Sequence, residues 1–170
     1  MKAYFKKYIL NFKNPSGTSR GVLTTKETYF IFVEKEDKVG VGETGLFRGL
    51  SCDDVPNYEE KLQWVCDNIS NGLEFLLNEL KDFPSIKFGL EMALKSLNSN
   101  NKFELFPSEF TNGNDSVNIN GLVWMGDKQF MKSQIQTKIE TGFNCIKIKI
   151  GAINFNEEIE LLKYIRSQFT

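Results

Sequence analysis

Strict alternation of polar and apolar residues marks the stretch CIKIKI at residues 145–150. This is the period of a β-strand with two different faces, so the three isoleucines share one face, and Lys147 and Lys149 share the other. Gly142 stands where a preceding helix would end, and Gly151 where the strand would give way to a loop. The pattern predicts a strand with one apolar face for packing and one doubly charged face.

The first part of the chain predicts three consecutive strands. Residues 2–12 are rich in aromatic side chains, and residues 20–36 contain the alternation of a half-buried strand. A turn-forming segment at 14–19 separates them, and a tight connection leads to a third short strand at 39–43. The simplest account of these three strands is an antiparallel β-meander.

Helical spacing follows the three strands. Asn57, with Glu60 three residues later, matches a capping box, and apolar residues then recur at intervals of three and four. Gly72 interrupts this run and weakens the prediction of one continuous helix. Pro84 suits the first turn of another helix, which ends in the polar residues 98–101. A meander followed by helices is an α+β arrangement.

The organisation changes in the last third of the chain. A strand at 117–124, a helix capped by Asp127, the lysine strand and a helix beginning at Asn156 form a series that predicts a βαβ unit with parallel strands. Two parallel strands alone do not make a sheet that can be covered on both faces. We therefore expect two domains, at 1–115 and 116–170, of which the second is the start of a larger fold.

Composition limits the classes of function. The chain has 170 residues, 41% of them hydrophobic and 25% charged, and its formal net charge of −1 provides no field for nucleic acid or an anionic membrane. It contains no histidine, which excludes Ser-His-Asp and Cys-His catalysis and histidine-based metal sites within these residues. Three widely spaced cysteines indicate reduced thiols in a cytoplasmic protein. No apolar run has the length of a membrane span, and the first residues lack signal-peptide character.

Lys147 and Lys149 have two interpretations. They form the solvated face of an edge strand, where lysines oppose aggregation, or they point into an enclosed space as a proton-transfer pair. In the second case each ammonium repels the other, so one lysine loses its proton more readily and can act as a base. Alternation alone favours the solvated face.

Three other motifs give weaker evidence for a functional site. Residues 40–45 have the glycine spacing of a phosphate loop without the lysine and helix that should follow, so a strand leading into a loop is the better interpretation. Arg20 beside Gly21 can bind a carboxylate, but a single arginine at the start of a strand is usually a surface residue. Asp53 and Asp54 lack the further oxygen ligands of a metal site and indicate a solvated loop.

Several of these segments together resemble the enolase superfamily. They are the α+β N-terminal region, the loop GETGLFRGLS at 42–51 and the strand KIKIG at 147–151, and the resemblance covers essentially the whole chain. The K-x-K strand is typical of the branch related to muconate-lactonising enzymes. Arg20, Gly21 and the 42–51 segment narrow the resemblance to the o-succinylbenzoate synthases of menaquinone (vitamin K2) biosynthesis.

The resemblance implies an α+β capping domain joined to the first βαβα of a (β/α) barrel, which the chain leaves incomplete. Members of the superfamily remove a proton next to a carboxylate, and a bound Mg²⁺ stabilises the enediolate. In the synthases, a cyclohexadiene carboxylate that carries a succinyl group loses water and becomes aromatic. The implied activity is therefore that of a lyase acting on a small carboxylate.

The resemblance also implies residue roles. By its position in the motif, Lys149 is the base that takes the proton and then, as an acid, helps hydroxide leave, and Lys147 assists by its charge and by orienting the substrate. Two loops of the cap are implied to close over the substrate and exclude water. Their implied substrate-binding residues are Thr18, Ser19 and Arg20 on the first loop and Gly49, Leu50 and Ser51 on the second.

The chain departs from the superfamily in its metal ligands. Those carboxylates come from later barrel strands, whereas Glu157, Glu158 and Glu160 fall in a predicted helix. We therefore expect no metal site here, Mg²⁺ only in the complete enzyme, no activity of the 170 residues alone, and self-association through the incomplete barrel at 116–170. Two alternatives stay open: a fragment of a dipeptide epimerase, N-acylamino-acid racemase or muconate-lactonising type of enzyme, and a non-catalytic binding module.

Overall fold

The structure is a computed structural model that describes residues 1–18, 21–151 and 153–169, with only the backbone at Thr18. The chain divides into two compact units. The first unit comprises residues 1–11 and 25–115, and the second comprises residues 12–24 and 116–170. Residues 12–24 therefore belong to the same compact unit as the lysine strand.

Within the described residues, five strands and five helices follow one another in the order expected from the sequence. The strands are β1 (Lys2–Thr18), β2 (Gly21–Lys35), β3 (Lys38–Gly45), β4 (Gly121–Val123) and β5 (Ile146–Ile148). The helices are α1 (Tyr58–Asp67), α2 (Leu73–Glu79), α3 (Pro84–Asn98), α4 (Lys128–Glu140) and α5 (Phe155–Gln168), with a 3₁₀ turn at Ile69–Asn71. This order confirms the predicted fold class, an α+β capping region joined to the start of a βαβα unit.

The first three strands form one sheet in the order β1-β2-β3, with β2 and β3 antiparallel. Tyr29, Ile31 and Val33 on β2 are completely buried, as their alternation predicted. β1 is longer than predicted, because residues 14–18 continue the strand instead of forming a turn. An edge strand tolerates proline and glycine at this place, since one side of its backbone needs no partner in the sheet.

Glycines allow β3 to pack directly on α3. A Cβ atom on Gly40 would lie 2.1 Å from the carbonyl oxygen of Ala93, so only glycine permits this approach of strand to helix. The segment at 40–45 belongs to β3 in its entirety. The interpretation as a strand is therefore confirmed, and the glycines serve packing.

The helix boundaries of the first unit agree with the sequence in two places and disagree in one. Pro84 is the first residue of α3, and Gly72, with φ of 92°, separates α2 from the preceding 3₁₀ turn. Asn57 precedes α1, but its side chain makes no capping hydrogen bond, so the predicted capping box is wrong. Its ψ of 20° is far from the extended conformation that a capping side chain needs.

The second unit contains the parallel pair β4–β5, in which Val123 lies opposite Ile148. Both strands are shorter than predicted. Asp127 caps α4 as predicted, because its side chain accepts a hydrogen bond from the Phe130 N–H at 2.8 Å. α5 is capped by Asn154, not by Asn156. The buried residues of this unit's core are Val123, Met131, Ile135 and Leu161.

No helix in the described part of the chain combines the length and the apolar character needed to cross a membrane.

Candidate active site

The two faces of β5 have different surroundings. Ile146 and Ile148 are half-buried and pack against the core of the second unit, whereas Lys147 between them is exposed. The predicted division into an apolar and a charged face is therefore confirmed within the strand. Ile150 was predicted on the apolar face but is 58% exposed, because β5 ends at Ile148 and the alternation does not continue beyond it.

Lys149 lies at the carboxyl end of β5, beside an aromatic ring. Its backbone N–H donates to the carbonyl oxygen of Val123 at 3.2 Å, which extends the parallel pairing by one bond. Its Nζ lies 3.4 Å from the centroid of the Trp124 ring, well within the range of a cation–π contact. Lys149 is half-buried, so the two lysines differ in exposure. Trp124 was not among the predicted site residues, although the predicted strand ended there.

Gly17, near the end of β1, lies against Met125, which follows β4 and Trp124 in the chain. A Cβ atom on Gly17 would be 3.5 Å from the carbonyl oxygen of Met125, which is an ordinary van der Waals distance. Thr18 ends β1, but its side chain, together with Ser19 and Arg20, lies outside the described residues. The second unit thus brings Gly17 near the residue that follows Trp124, and the roles of Thr18, Ser19 and Arg20 stay predictions.

The glutamates of α5 have structural partners. Glu158 is buried, and its Oε1 accepts a hydrogen bond from the Gly151 N–H at 2.5 Å. Glu160 forms an ion pair with Lys128. Within residues 1–18, 21–151 and 153–169, no three Cys, Asp or Glu side chains are grouped so that they could hold a metal ion. Because Mg²⁺ in proteins is held by carboxylate oxygens, these residues do not fit a magnesium site.

The predicted second loop belongs to the first unit and is internally hydrogen-bonded. Gly49 has a φ of 71°, a conformation that favours glycine, and its N–H donates to Oδ2 of Asp54 at 2.6 Å. The Phe47 N–H donates to the hydroxyl oxygen of Ser51 at 2.9 Å. Leu50 at the tip is 38% exposed. Gly49, Leu50 and Ser51 therefore form a defined turn with one apolar side chain presented to solvent.

Asp53 and Asp54 anchor this loop. Asp53 is 1% exposed, and its Oδ2 accepts hydrogen bonds from Ser85 through the backbone N–H at 2.8 Å and the hydroxyl at 2.6 Å. The predicted solvated loop is wrong for Asp53, because its carboxylate accepts from a backbone N–H in the first turn of α3, which has no partner within the helix. The bond from the Gly49 N–H, with help from Arg48, lowers the pKa of the Asp54 carboxyl.

Arg48 ties the same loop to the sheet. Its Nη2 donates to Oε2 of Glu27 at 2.7 Å, and its Nη1 donates to Asp54 at 2.7 Å. Beside it, the Tyr29 hydroxyl donates to Oε1 of Glu59 at 2.7 Å. The bond from Arg48 lowers the pKa of Glu27, and burial followed by the Glu59 contact raises the pKa of Tyr29 to about 12. Charge-assisted hydrogen bonds therefore hold the loop in one conformation.

Comparison with known proteins identifies the fold. No protein-family model matches the chain. It is 35% identical over 201 aligned residues to the o-succinylbenzoate synthase of Desulfotalea psychrophila (strain LSv54 / DSM 12343), an alignment that covers 100% of this chain and 55% of that protein. The crystal structure of MenC from Desulfotalea psychrophila LSv54 matches with a TM-score of 0.74 at 29% identity, over 100% of this chain and 54% of that chain.

A second solved structure extends the comparison. The o-succinylbenzoate synthase of Thermosynechococcus elongatus BP-1, complexed with Mg in its active site, matches with a TM-score of 0.72 at 19% identity. That match covers 100% of this chain and 49% of the other. Dipeptide epimerases also match, and at 20% identity or less they show the fold alone.

The chain therefore has the enolase-superfamily fold, over the capping region and the start of the barrel. In sequence, the chain is similar to o-succinylbenzoate synthase, as the motifs predicted. The chain spans about half the length of the relatives it matches.

Proposed function

We propose that these residues form the N-terminal part of an o-succinylbenzoate synthase, a lyase of menaquinone biosynthesis, with a cap at 1–115 and the start of the barrel at 116–170. The identity of 35% along the whole chain supports this assignment. One structural observation carries it: the half-buried Lys149 follows β5 directly and meets the ring of Trp124 at the end of β4. In barrels of this kind, the carboxyl ends of the strands are where catalytic residues lie.

In the proposed reaction, Lys149 takes the proton from the carbon next to the substrate carboxylate. The electron pair of that C–H bond becomes part of the aromatic ring, and the C–O bond to the leaving hydroxyl breaks. Lys149 then returns its proton to the departing hydroxide, so that water is released. Lys147, whose side chain is exposed on the same face, supplies positive charge that orients the substrate carboxylate.

Two loops complete the proposed substrate site. Thr18, Ser19 and Arg20 follow the part of β1 that lies against Met125, and Gly49, Leu50 and Ser51 form the turn anchored by Arg48. We assign both loops to closing over the substrate and excluding water. The proposed enzyme is cytoplasmic and has neither nucleic acid nor a membrane as its partner.

Mg²⁺ belongs to the complete enzyme in this proposal, since the Thermosynechococcus elongatus synthase was solved with Mg in its active site. When bound, the metal supplies charge stabilisation as a Lewis acid. The described residues do not fit such a site, so its ligands are assigned to the part of the relatives that this chain does not span. The 170 residues alone should therefore show no dehydratase turnover, and metal-dependent turnover by the isolated chain would contradict this.

A fusion tests the proposal directly. Residues 1–170 are joined to the part of the Desulfotalea psychrophila synthase that lies beyond the alignment, and dehydration of the cyclohexadiene substrate is measured. Turnover is expected in the fusion, and its loss is expected in Lys149→Ala and Lys149→Arg. Lys163→Ala, at an exposed position of α5, is the matched control. Full turnover by the folded Lys149→Ala fusion would remove Lys149 from the mechanism.

The second candidate function is that of a dipeptide epimerase, which is supported only by the fold shared with solved dipeptide epimerases.

A further inference from the structure

One side chain holds both polar backbone groups of Trp124. The Trp124 N–H donates to Oε1 of Gln134 at 3.0 Å, and Nε2 of Gln134 donates to the Trp124 carbonyl oxygen at 3.1 Å. An amide side chain can make this paired contact because it carries an acceptor and donors on one planar group. The contact fixes the orientation of the peptide units on both sides of Trp124 and hence the direction in which its ring leaves the backbone.

The ring so fixed meets Lys149 because of the strand register. Val123 lies opposite Ile148 in the parallel pair, so the next residue on each strand, Trp124 and Lys149, are neighbours as well. The Nζ of Lys149 stands 3.4 Å from the ring centroid. Lys147, two residues earlier, is exposed and has no aromatic contact among the described residues. The two lysines of one motif therefore have different surroundings.

We propose that Trp124, held by Gln134, is the positioning residue for Lys149. A lysine side chain has many rotamers, and a base is effective only when its nitrogen stays near the reacting atom. The ring restricts Nζ to the carboxyl end of β5 before any substrate arrives. The catalytic role of this contact rests on the proposed function. The contact between Trp124 and Lys149 itself is present in the isolated chain.

The contact is measured by NMR on the isolated 170-residue chain. Protons above the centre of an indole ring are shifted upfield, so the ε-methylene protons of Lys149 should resonate upfield of those of Lys147, with Lys149→Arg providing the assignment. Trp124→Leu should abolish the shift, and Trp124→Phe should retain part of it. A Lys149 signal at the position of the Lys147 signal in the unsubstituted chain would overturn the proposal.

The role of Gln134 is tested with a separate variant and a control. Gln134→Leu removes both bonds to the Trp124 backbone and should reduce the upfield shift of Lys149. Gln136→Leu on the same helix removes bonds to Glu140 and to the Tyr164 hydroxyl but none to Trp124, and should leave the shift unchanged. Equal effects of the two variants would overturn the proposal that Gln134 holds the Trp124 backbone. If Trp124→Leu does not fold, the spectrum of the unsubstituted chain and of Gln134→Leu still decide the question.

The fusion protein separates positioning from general stability. In the folded fusion, Trp124→Leu should lower kcat roughly tenfold to a hundredfold with a smaller change in KM, and Trp124→Phe should restore part of the loss. An unchanged kcat in Trp124→Leu, with Lys149→Ala inactive, overturns the positioning role and leaves the proposed function standing. Full activity of Lys149→Ala overturns the proposed function, whatever the NMR contact shows.

Discussion

Gly42 on β3 lies directly against Gly89 on α3, so closely that a Cβ atom on Gly42 would stand 1.9 Å from the Gly89 carbonyl oxygen. The helix backbone cannot yield to a methyl group without moving away from the sheet. The core of the first unit lies between this sheet and its helices, and its completely buried residues include Ile31, Leu90 and Ala93. This pair of glycines therefore sets the distance between the two layers of the first unit.

Gly42→Ala should destabilise the first unit by about 3 kcal/mol, because overpacking against backbone forces the layers apart. Urea denaturation followed by circular dichroism measures the loss. Gly45→Ala is the matched control, since a Cβ there meets only the end of the Lys26 side chain at 3.4 Å. A Gly42→Ala variant as stable as Gly45→Ala would contradict the close packing.

The ion pair between Glu27 and Arg48 should stabilise the fold only when Glu27 is ionised. Arg48 lowers the pKa of Glu27 below its ordinary value of 4.5 in the folded chain. The stability from this pair is therefore fully present above pH 4.5 and is lost as the pH falls through the lower, folded pKa.

A double-mutant cycle of Glu27→Gln and Arg48→Gln measures this pair. We expect a coupling free energy of about 1 kcal/mol at pH 7, since Arg48 is partly exposed and solvent weakens the pair. The coupling should decline towards zero in acid. A coupling of equal size at neutral pH and at a pH well below 4 would show that the charge of Glu27 does not contribute.

Asp127→Ala should cost about 1 kcal/mol in the local stability of α4, because it removes the hydrogen bond to the Phe130 N–H. Asn57→Ala, at the same position before α1, should change little, since Asn57 makes no such bond. Hydrogen exchange of the amides in the first turn of each helix compares the two variants. Equal losses of protection would contradict the difference between the caps.

Cys66 should resist alkylation in the folded chain, whereas Cys52 and Cys145 should react. Burial raises the pKa of the Cys66 thiol from 9.0 to about 11, which lowers its thiolate fraction roughly a hundredfold at pH 8. Cys52 and Cys145 are exposed. Mass spectrometry after brief treatment with iodoacetamide at pH 8 should find two modified thiols, and three in urea. Labelling of Cys66 as fast as Cys52 without urea would disprove its burial.

Self-association through residues 116–170 is the remaining prediction. β4 and β5 form a two-stranded sheet, so each leaves one edge without a described strand partner, and α5 exposes Phe155 and Leu162. Phe155→Lys with Leu162→Lys should shift the sedimentation of the chain towards that of a monomer. Lys163→Gln, which alters an exposed position of the same helix, is the control. A concentration-independent monomer in the unsubstituted chain would contradict the prediction.

Local patterns predicted much of the fold. The alternation in β2 and β5 identified their buried faces, and Pro84, Gly72 and Asp127 marked helix boundaries correctly, because these residues act on the backbone next to them. The patterns failed where distant partners intervene. β1 continues through its predicted turn because of its place in the sheet, and the glycines of β3 are explained only by α3.

In the candidate site, too, local patterns succeeded and distant partners were missed. The K-x-K motif identified Lys149, but the ring that meets it comes from Trp124, which is 25 residues earlier and becomes its neighbour only through the parallel register. Asp53 was predicted to be solvated because no pattern near it indicates its hydrogen-bond partner Ser85, which lies 32 residues later in the chain. Burial of a polar group depends on such remote partners.

By itself, the sequence determined which residues alternate, where most helices begin, and which family the chain resembles, since these depend on neighbours along the chain. Only the tertiary structure decided that Lys149 stands over an indole ring while Lys147 faces solvent, and that Asp53 accepts from α3 whereas Asp54 accepts from its own loop. The physical reason is that contact energy depends on distance in space, and strand register and helix packing set that distance.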